Sequence, residues 1–343
     1  MPARNAIRLL LVVVAEGALW SPPAAAQPLS RYEFAEKHMG VDVQLTLYAA
    51  TETTANDAAR RAFRRIAELE RVFSDYDPDS EAMRLCRLAQ PNEFQPVSDD
   101  LFTVLSAAQD LAQRSNGAFD VTIGPVVKLW RRARRRQELP EAAVLAEARA
   151  LVGYRQIRLD PSTRSVSLAR TGLQLDFGGI AKGYAAQEAV AALKAAGCSS
   201  ALVAVAGDIV AGDPPPDAPG WKVGVASANR ADAPPFRWLC LANAAVSTSG
   251  DAFQHVVIDG VRYSHIVDPR TGLGLTRLCG ATVISGNGMT ADSLATAAIL
   301  LGPREGARLI QETPGAAALI VCDSEGRMSA QTVGDFARWE WPE

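Results

Sequence analysis

The segment Arg262-Tyr-Ser-His-Ile-Val-Asp-Pro-Arg-Thr-Gly272 gathers a titratable ring, a carboxylate and two arginines around one Asp-Pro turn. Loops of that kind are where folds carry chemistry. His265 is one of only three histidines, with His38 and His255. A ring that titrates near neutral pH suits a general base acting on a hydroxyl nucleophile, although a lone histidine is more often structural. Asp268 in the same segment, and Asp251 in Ser247-Thr-Ser-Gly-Asp251, are carboxylates that could orient the ring or replace it.

A second constellation lies in Met289-Thr-Ala-Asp-Ser-Leu-Ala-Thr-Ala-Ala-Ile-Leu-Leu-Gly302, which reads as a helix with a hydroxyl at its start and glycine at its end. Asp292 and Thr296 are four apart and share one face. A carboxylate beside a hydroxyl suits a hard cation, and Mg²⁺ is commonly held by one or two carboxylates together with substrate phosphates. The same pair also fits a bland reading, because an Asp in a first turn is favoured by the helix dipole alone.

A third segment, Leu175-Asp-Phe-Gly-Gly-Ile-Ala-Lys-Gly-Tyr184, reads as a strand running through paired glycines into a helix. Backbone N–H groups there can approach a pyrophosphate, and Lys182 adds positive charge. It is neither a Walker loop nor the full Gly-x-Gly-x-x-Gly fingerprint of a Rossmann site.

Taken together in chain order, from Leu175 through Ser247 and Arg262 to Met289, these segments resemble the ApbE family, the FAD:protein FMN transferases, with weaker similarity from about Phe34 to about Cys322. The resemblance implies a catalytic histidine at His265. It also implies a magnesium site made of Asp292, Thr296 and the backbone carbonyl of Gly179. Contacts to FAD carry over to Asp176, Lys182 and Ile266. They carry over as well to Met39, where Val41 replaces the family's Thr, to Tyr76, matching an aromatic that stacks on the flavin, and to Ala118, Phe119 and Asp120 of Gly117-Ala-Phe-Asp120. Ala206-Gly207-Asp208 departs from the family's Gly-Gly-Asp/Asn by one methyl.

FAD is then a substrate, and the implied reaction moves FMN onto a threonine hydroxyl of an acceptor protein and releases AMP. The acceptor implied is an exported segment of a membrane electron-transfer complex or a related flavin-carrying domain. Two alternatives stay open: an FAD pyrophosphatase that passes FMN to water, and a periplasmic FAD-binding carrier without catalysis.

The elements that must position these groups follow from periodicity. Gly40–Tyr48 alternates as a half-buried strand, and Ala58–Phe73 follows helical spacing. Asp99–Gln113 reads as a helix capped by Ser98 and closed at Asn116-Gly117. Strands are expected at Ile157–Leu159, Ser165–Leu168, Leu173–Phe177, Ala201–Val205 and Trp221–Ala226, with a helix at Ala181–Ala196. Arg131–Arg136 reads as a solvated helical face. Short strands joined by tight turns, with few crossover helices, favour α+β over a doubly wound sheet. The resemblance implies the same class: a two-lobed arrangement of mixed or antiparallel sheets with packed helices, T-fold-like.

Arg4 and Arg8, the apolar run Leu9–Ala15 and the small residues before Gln27 have the order of a secretory signal. Residues 1–26 are therefore expected to direct export to the periplasm, leaving residues 27–343 as one domain with no lipid-anchor cysteine at the cleavage site. The formal charge of −3 gives no reason to expect nucleic-acid binding. Five widely spaced cysteines lack a Cys-x-x-Cys pair, so zinc and thioredoxin-like chemistry are not indicated; buried free thiols are expected, with one disulfide in an oxidising compartment as the alternative.

Overall fold

The computed structural model describes residues 28–225, 234–250, 254–324 and 327–342; the expected signal segment and Asp251 lie outside them. Along the chain, β1 (Ser30–His38) and β2 (Val41–Ala49) precede α1 (Glu52–Phe73), α2 (Glu81–Leu88), β3 (Phe94–Pro96) and α3 (Asp99–Arg114). Then come α4 (Gly124–Arg136), α5 (Ala142–Ala150), β4 (Ile157–Asp160), β5 (Ser165–Leu168) and α6 (Ala181–Ala195). The strands β6 (Ala201–Val205), β7 (Asp208–Ala211), β8 (Trp221–Val225), β9 (Arg237–Leu241), β10 (Ala244–Gly250), β11 (His255–Ile258), β12 (Val261–Ser264) and β13 (Cys279–Ser285) follow. The chain closes with α7 (Gly288–Leu301), α8 (Pro303–Gln311), β14 (Ala317–Ser324) and β15 (Arg327–Val333).

Eight strands form one sheet in the order β1-β2-β6-β7-β10-β13-β14-β15, and all its neighbours run antiparallel. Period-two alternation gives it two apolar faces. Val43, Leu45, Leu47, Val203 and Val205 face the helices α1, α6 and α7. Val246, Ile284 and Leu319 face the β8–β9 hairpin with Trp221 and Leu239. The α+β expectation is met, with antiparallel pairing throughout the described strands.

α1 buries Ala55, Ala58, Ala59, Ala62, Phe63, Ile66, Leu69 and Phe73, the i, i+3, i+4 stripe of an amphipathic helix. It starts at Glu52 rather than Ala58, because Thr51 caps it by accepting from the Thr54 N–H at 3.2 Å. Arg65 ties three helices together: it donates to Asp100 of α3 at 2.8 and 2.6 Å and to Glu188 of α6 at 2.6 and 3.2 Å. A third buried cluster joins α4 and α5 to β11–β12 through Val126, Trp130, Ala148, Ile258 and Tyr263.

Three expectations are corrected. Leu173–Phe177 is not a strand; its Asp176 N–H is taken by the Val121 carbonyl at 2.8 Å, so the segment joins no sheet ladder. The hydroxyl expected to start α7 is not its cap: Asn287 is, accepting from the Thr290 N–H at 2.8 Å. The free-thiol expectation fails for one pair, since β13 and β14 place Cys279 opposite Cys322 and the two form a disulfide, while Cys86, Cys198 and Cys240 remain thiols. No helix among the described residues is long and apolar enough to cross a membrane.

Candidate active site

A cavity of about 680 Å³ opens between the helix-covered side of the sheet and the α4–β12 cluster, a size suited to a large small-molecule ligand. Its wall includes Met39, Tyr76, Ala118, Phe119, Asp120, Asp176, Gly179, Lys182, His265, Ile266, Asp292 and Thr296. Of the expected site residues that are described, only Asp268 is absent from it.

One end of the cavity is acidic. Asp292 projects from the first turns of α7 and is buried. Its Oδ2 accepts the Gly183 N–H at 3.0 Å and lies 3.6 Å from Lys182 Nζ. Lys182 is also 2.8 Å from Asp208 Oδ2, and Asp208 is held by the Ser247 hydroxyl at 2.5 Å. Burial and the neighbouring Asp208 charge push the Asp292 carboxyl up to about 7, against the pull of Lys182 and the Gly183 N–H. Burial would lower the Lys182 ammonium, but Asp208 and Asp292 together raise it.

Thr296 stands one turn beyond Asp292, and its hydroxyl lies 3.2 Å from that of Ser249 on β10. Gly179 packs against it so closely that a Cβ there would sit 3.0 Å from Thr296 Oγ1. Thr296 and Gly179 therefore touch, and Asp292 lies one turn back on the same helix and lines the same cavity. The donors are all oxygen and the buried carboxylates already draw an ammonium between them, so the residues fit a hard cation. Among the described residues no cluster of three or more His, Cys, Asp or Glu is arranged to hold a metal, so the site is sparse in protein charge.

Asp176 Oδ1 accepts the Gly178 N–H at 2.9 Å, and in the first turn of α6 the Ala181 N–H goes to the Phe177 carbonyl and the Gly183 N–H to Asp292. Met39 reaches the cavity through the two-residue β1–β2 hairpin, where Met39 and Gly40 take φ of 52° and 73°. The β6–β7 turn sets Ala206 at φ 54° and brings Gly207 and Asp208 to the wall. The extra methyl at Ala206 thus leaves the turn in place.

His265 follows β12. Its Nδ1 is 3.1 Å from the Gln254 carbonyl oxygen, which can only accept, so the neutral ring donates from Nδ1 and carries its lone pair on Nε2. Trp130 steadies this loop by donating from Nε1 to the Ser264 carbonyl at 3.0 Å.

Two expected residues have other duties. Asp268 is held by Arg270, which grips both its oxygens at 2.7 to 3.1 Å and also donates its backbone N–H. Asp120 touches the cavity, but its carboxylate is spent on the Thr122 N–H and hydroxyl and on the Tyr154 N–H.

Sequence reasoning missed Arg131 and Gln254, and named Asp208 only within the Ala206-Gly207-Asp208 motif. Arg131 belongs to the basic run expected to be solvated, yet it lies in the cavity wall, paired with Asp75 and, at 3.0 Å, with Asp176. The row Ile123, Val127, Arg131, Arg134, all lining the cavity, has helical spacing and was the readable signal.

Known proteins share this sequence pattern and fold. The ApbE family model matches residues 39–320. An FAD:protein FMN transferase of Treponema pallidum is 33% identical over 319 residues, covering 88% of each chain, and one of Klebsiella pneumoniae is 26% identical over 84% of each. The solved flavin transferase ApbE of Vibrio cholerae superposes with a TM-score of 0.80 at 25% identity, covering 91% of this chain and all of that one. The ApbE protein of Thermotoga maritima gives the same TM-score at 28% identity, with the same coverage. The chain belongs to the ApbE family.

Proposed function

We propose that the chain moves FMN from FAD to a threonine hydroxyl of an exported acceptor protein, with Mg²⁺ as cofactor and AMP as the leaving group. As an ApbE-family member the chain is an FAD:protein FMN transferase; the threonine, the metal and the residue roles are the proposed part. The observation that supports them is one cavity holding both the acidic Asp292–Lys182–Asp208 end and the His265 ring.

In this reading the threonine oxygen attacks the phosphorus on the FMN side of the pyrophosphate. A phosphoester to threonine forms as the bond to the AMP phosphate breaks. His265 Nε2 takes the threonine proton, and the Gln254 carbonyl holds the ring in the required tautomer. Lys182, in the cavity wall, would face the pyrophosphate and offset its charge. Mg²⁺, held by Asp292, Thr296 and the Gly179 carbonyl, would neutralise pyrophosphate charge and ease departure of AMP. Tyr76 and Phe119 would hold the flavin.

The test combines the protein, FAD, Mg²⁺ and a threonine-bearing acceptor domain, followed by a denaturing gel viewed for covalent flavin fluorescence. A fluorescent acceptor band that needs Mg²⁺ and disappears when the threonine becomes valine is expected. Free FMN without a labelled acceptor would point to a pyrophosphatase, and bound but intact FAD to a carrier. Export belongs to the same proposal: residues 1–26 would be removed, with a mature terminus near Gln27. Sequencing that finds Arg4 and Arg8 retained on exported protein would overturn it.

A further inference from the structure

Tyr76 is exposed over 77% of its surface, unusual for an aromatic ring at the edge of a cavity. Little packing fixes it. Its backbone is tied only locally, where the Ser74 hydroxyl accepts the Tyr76 and Asp77 N–H groups at 3.3 and 3.2 Å. A mobile ring would lose rotamer freedom on stacking with a ligand, and that loss would come out of the binding free energy.

Arg131 removes that freedom before any ligand arrives. Its guanidinium lies 4.5 Å from the centroid of the Tyr76 ring, a cation over one aromatic face. The same group pairs with Asp75, next to Tyr76 in the chain, and with Asp176 at 3.0 Å, ahead of the glycine-rich turn. One side chain thus connects the loop after α1, the helix α4 and the loop before α6. Its planar fork suits two carboxylates and a ring at once, as a lysine ammonium does not.

The two carboxylates also need it. Burial and the Asp75 charge both push the Asp176 carboxyl above its usual range, and Arg131 pulls against them. Without the guanidinium, Asp75 and Asp176 would face each other with like charge at the cavity edge, beside the Tyr76 loop.

We infer that Arg131 is a positioning residue for FAD: acting through Asp75 and Tyr76, it holds the loop at the cavity and leaves the opposite face of the Tyr76 ring for the flavin. The inference rests on FAD as the substrate, with its flavin at Tyr76.

The experiment measures FAD affinity by fluorescence titration, and KM for FAD against kcat, in the wild type, Arg131→Ala, Tyr76→Ala and the double variant. Arg131→Ala is expected to weaken FAD about tenfold, the scale of a partly desolvated cation–π contact, with the loss falling on KM rather than kcat. Because Arg131 acts through Tyr76, the double variant should bind no more weakly than the weaker single variant. Adding Asp75→Asn to Arg131→Ala should restore part of the affinity by removing the repulsion.

If Arg131→Ala does not fold, Arg131→Lys reads the same effect: it keeps a charge between the carboxylates, loses the fork, and should weaken FAD severalfold. Wild-type affinity in the folded variant, or losses that multiply in the double variant, would overturn the inference while leaving FAD as substrate. A wild-type protein that binds no FAD would overturn both.

Discussion

Gly183 and Gly288 meet backbone to backbone where α6 crosses α7. A Cβ on Gly183 would lie 2.1 Å from the Gly288 carbonyl oxygen and 2.7 Å from Asp292 Cβ, and one on Gly288 would lie 2.2 Å from the Gly183 carbonyl oxygen. The crossing is what lets the Gly183 N–H reach Asp292 Oδ2. Gly183→Ala must part the helices, so it is expected to cost about 1–3 kcal/mol, the range for overpacking, and to weaken the Mg²⁺ response as Asp292 moves. Urea melts with and without Mg²⁺ check both; an alanine variant that keeps both would show that the crossing does not place Asp292.

Asp292→Asn should separate metal binding from stability. The carboxyl is pushed up to about 7, so the fold favours its neutral form, and the stability from that preference is present at low pH and lost as pH rises through about 7. Asparagine does not titrate. The metal-free variant should therefore melt no lower than the wild type at pH 8, where the wild-type charge is most costly, while its Mg²⁺-induced rise in Tm disappears. A large loss of Tm at pH 8 in the absence of metal would mean that the Lys182 pairing outweighs the burial of charge.

The Arg65 network has the opposite sign. Burial alone would raise the Asp100 carboxyl, but hydrogen bonds from Arg65 and Tyr184 and the Arg65 charge hold it below its usual range. Its stabilisation is present above the ordinary carboxylate range and is lost as pH falls through the depressed value. Asp100→Asn is expected to lower Tm at pH 7 and to differ less from wild type at pH 3, read by thermal melts across that window. An equal Tm deficit at both pH values would assign the effect to packing.

Much of the site was legible because its chemistry is local. Asp292 and Thr296 share a helix face at fixed spacing, and Gly179 and Lys182 stand on one glycine-rich turn, so only the meeting of two segments was left to the fold. Arg131 was hidden because a run of arginines reads as one exposed face, although a helix turns every few residues and carries one member inward. Asp268 misled for the converse reason. Nothing in its spacing shows that Arg270, two residues on, folds back to occupy it. The Cys279–Cys322 bond depends on the register of β13 against β14, a long-range pairing that cysteine spacing does not encode.

His265→Ala separates proton transfer from substrate binding. With Asp268 occupied by Arg270 and Asp292 paired with Lys182, His265 is the histidine of the cavity wall, and the Gln254 carbonyl sets its tautomer. Loss of the ring should leave FAD and Mg²⁺ affinity nearly intact while slowing transfer by about 10²–10⁴, the usual contribution of a positioned base. Raising the pH should recover part of the rate, as hydroxide takes the threonine proton in place of the imidazole. Single-turnover transfer measured from pH 6 to 9, beside an FAD titration, reads each effect separately. A variant that transfers at the normal rate would move the base elsewhere, with Asp251 the next to replace, and one that fails only because it no longer binds FAD would make His265 a binding group.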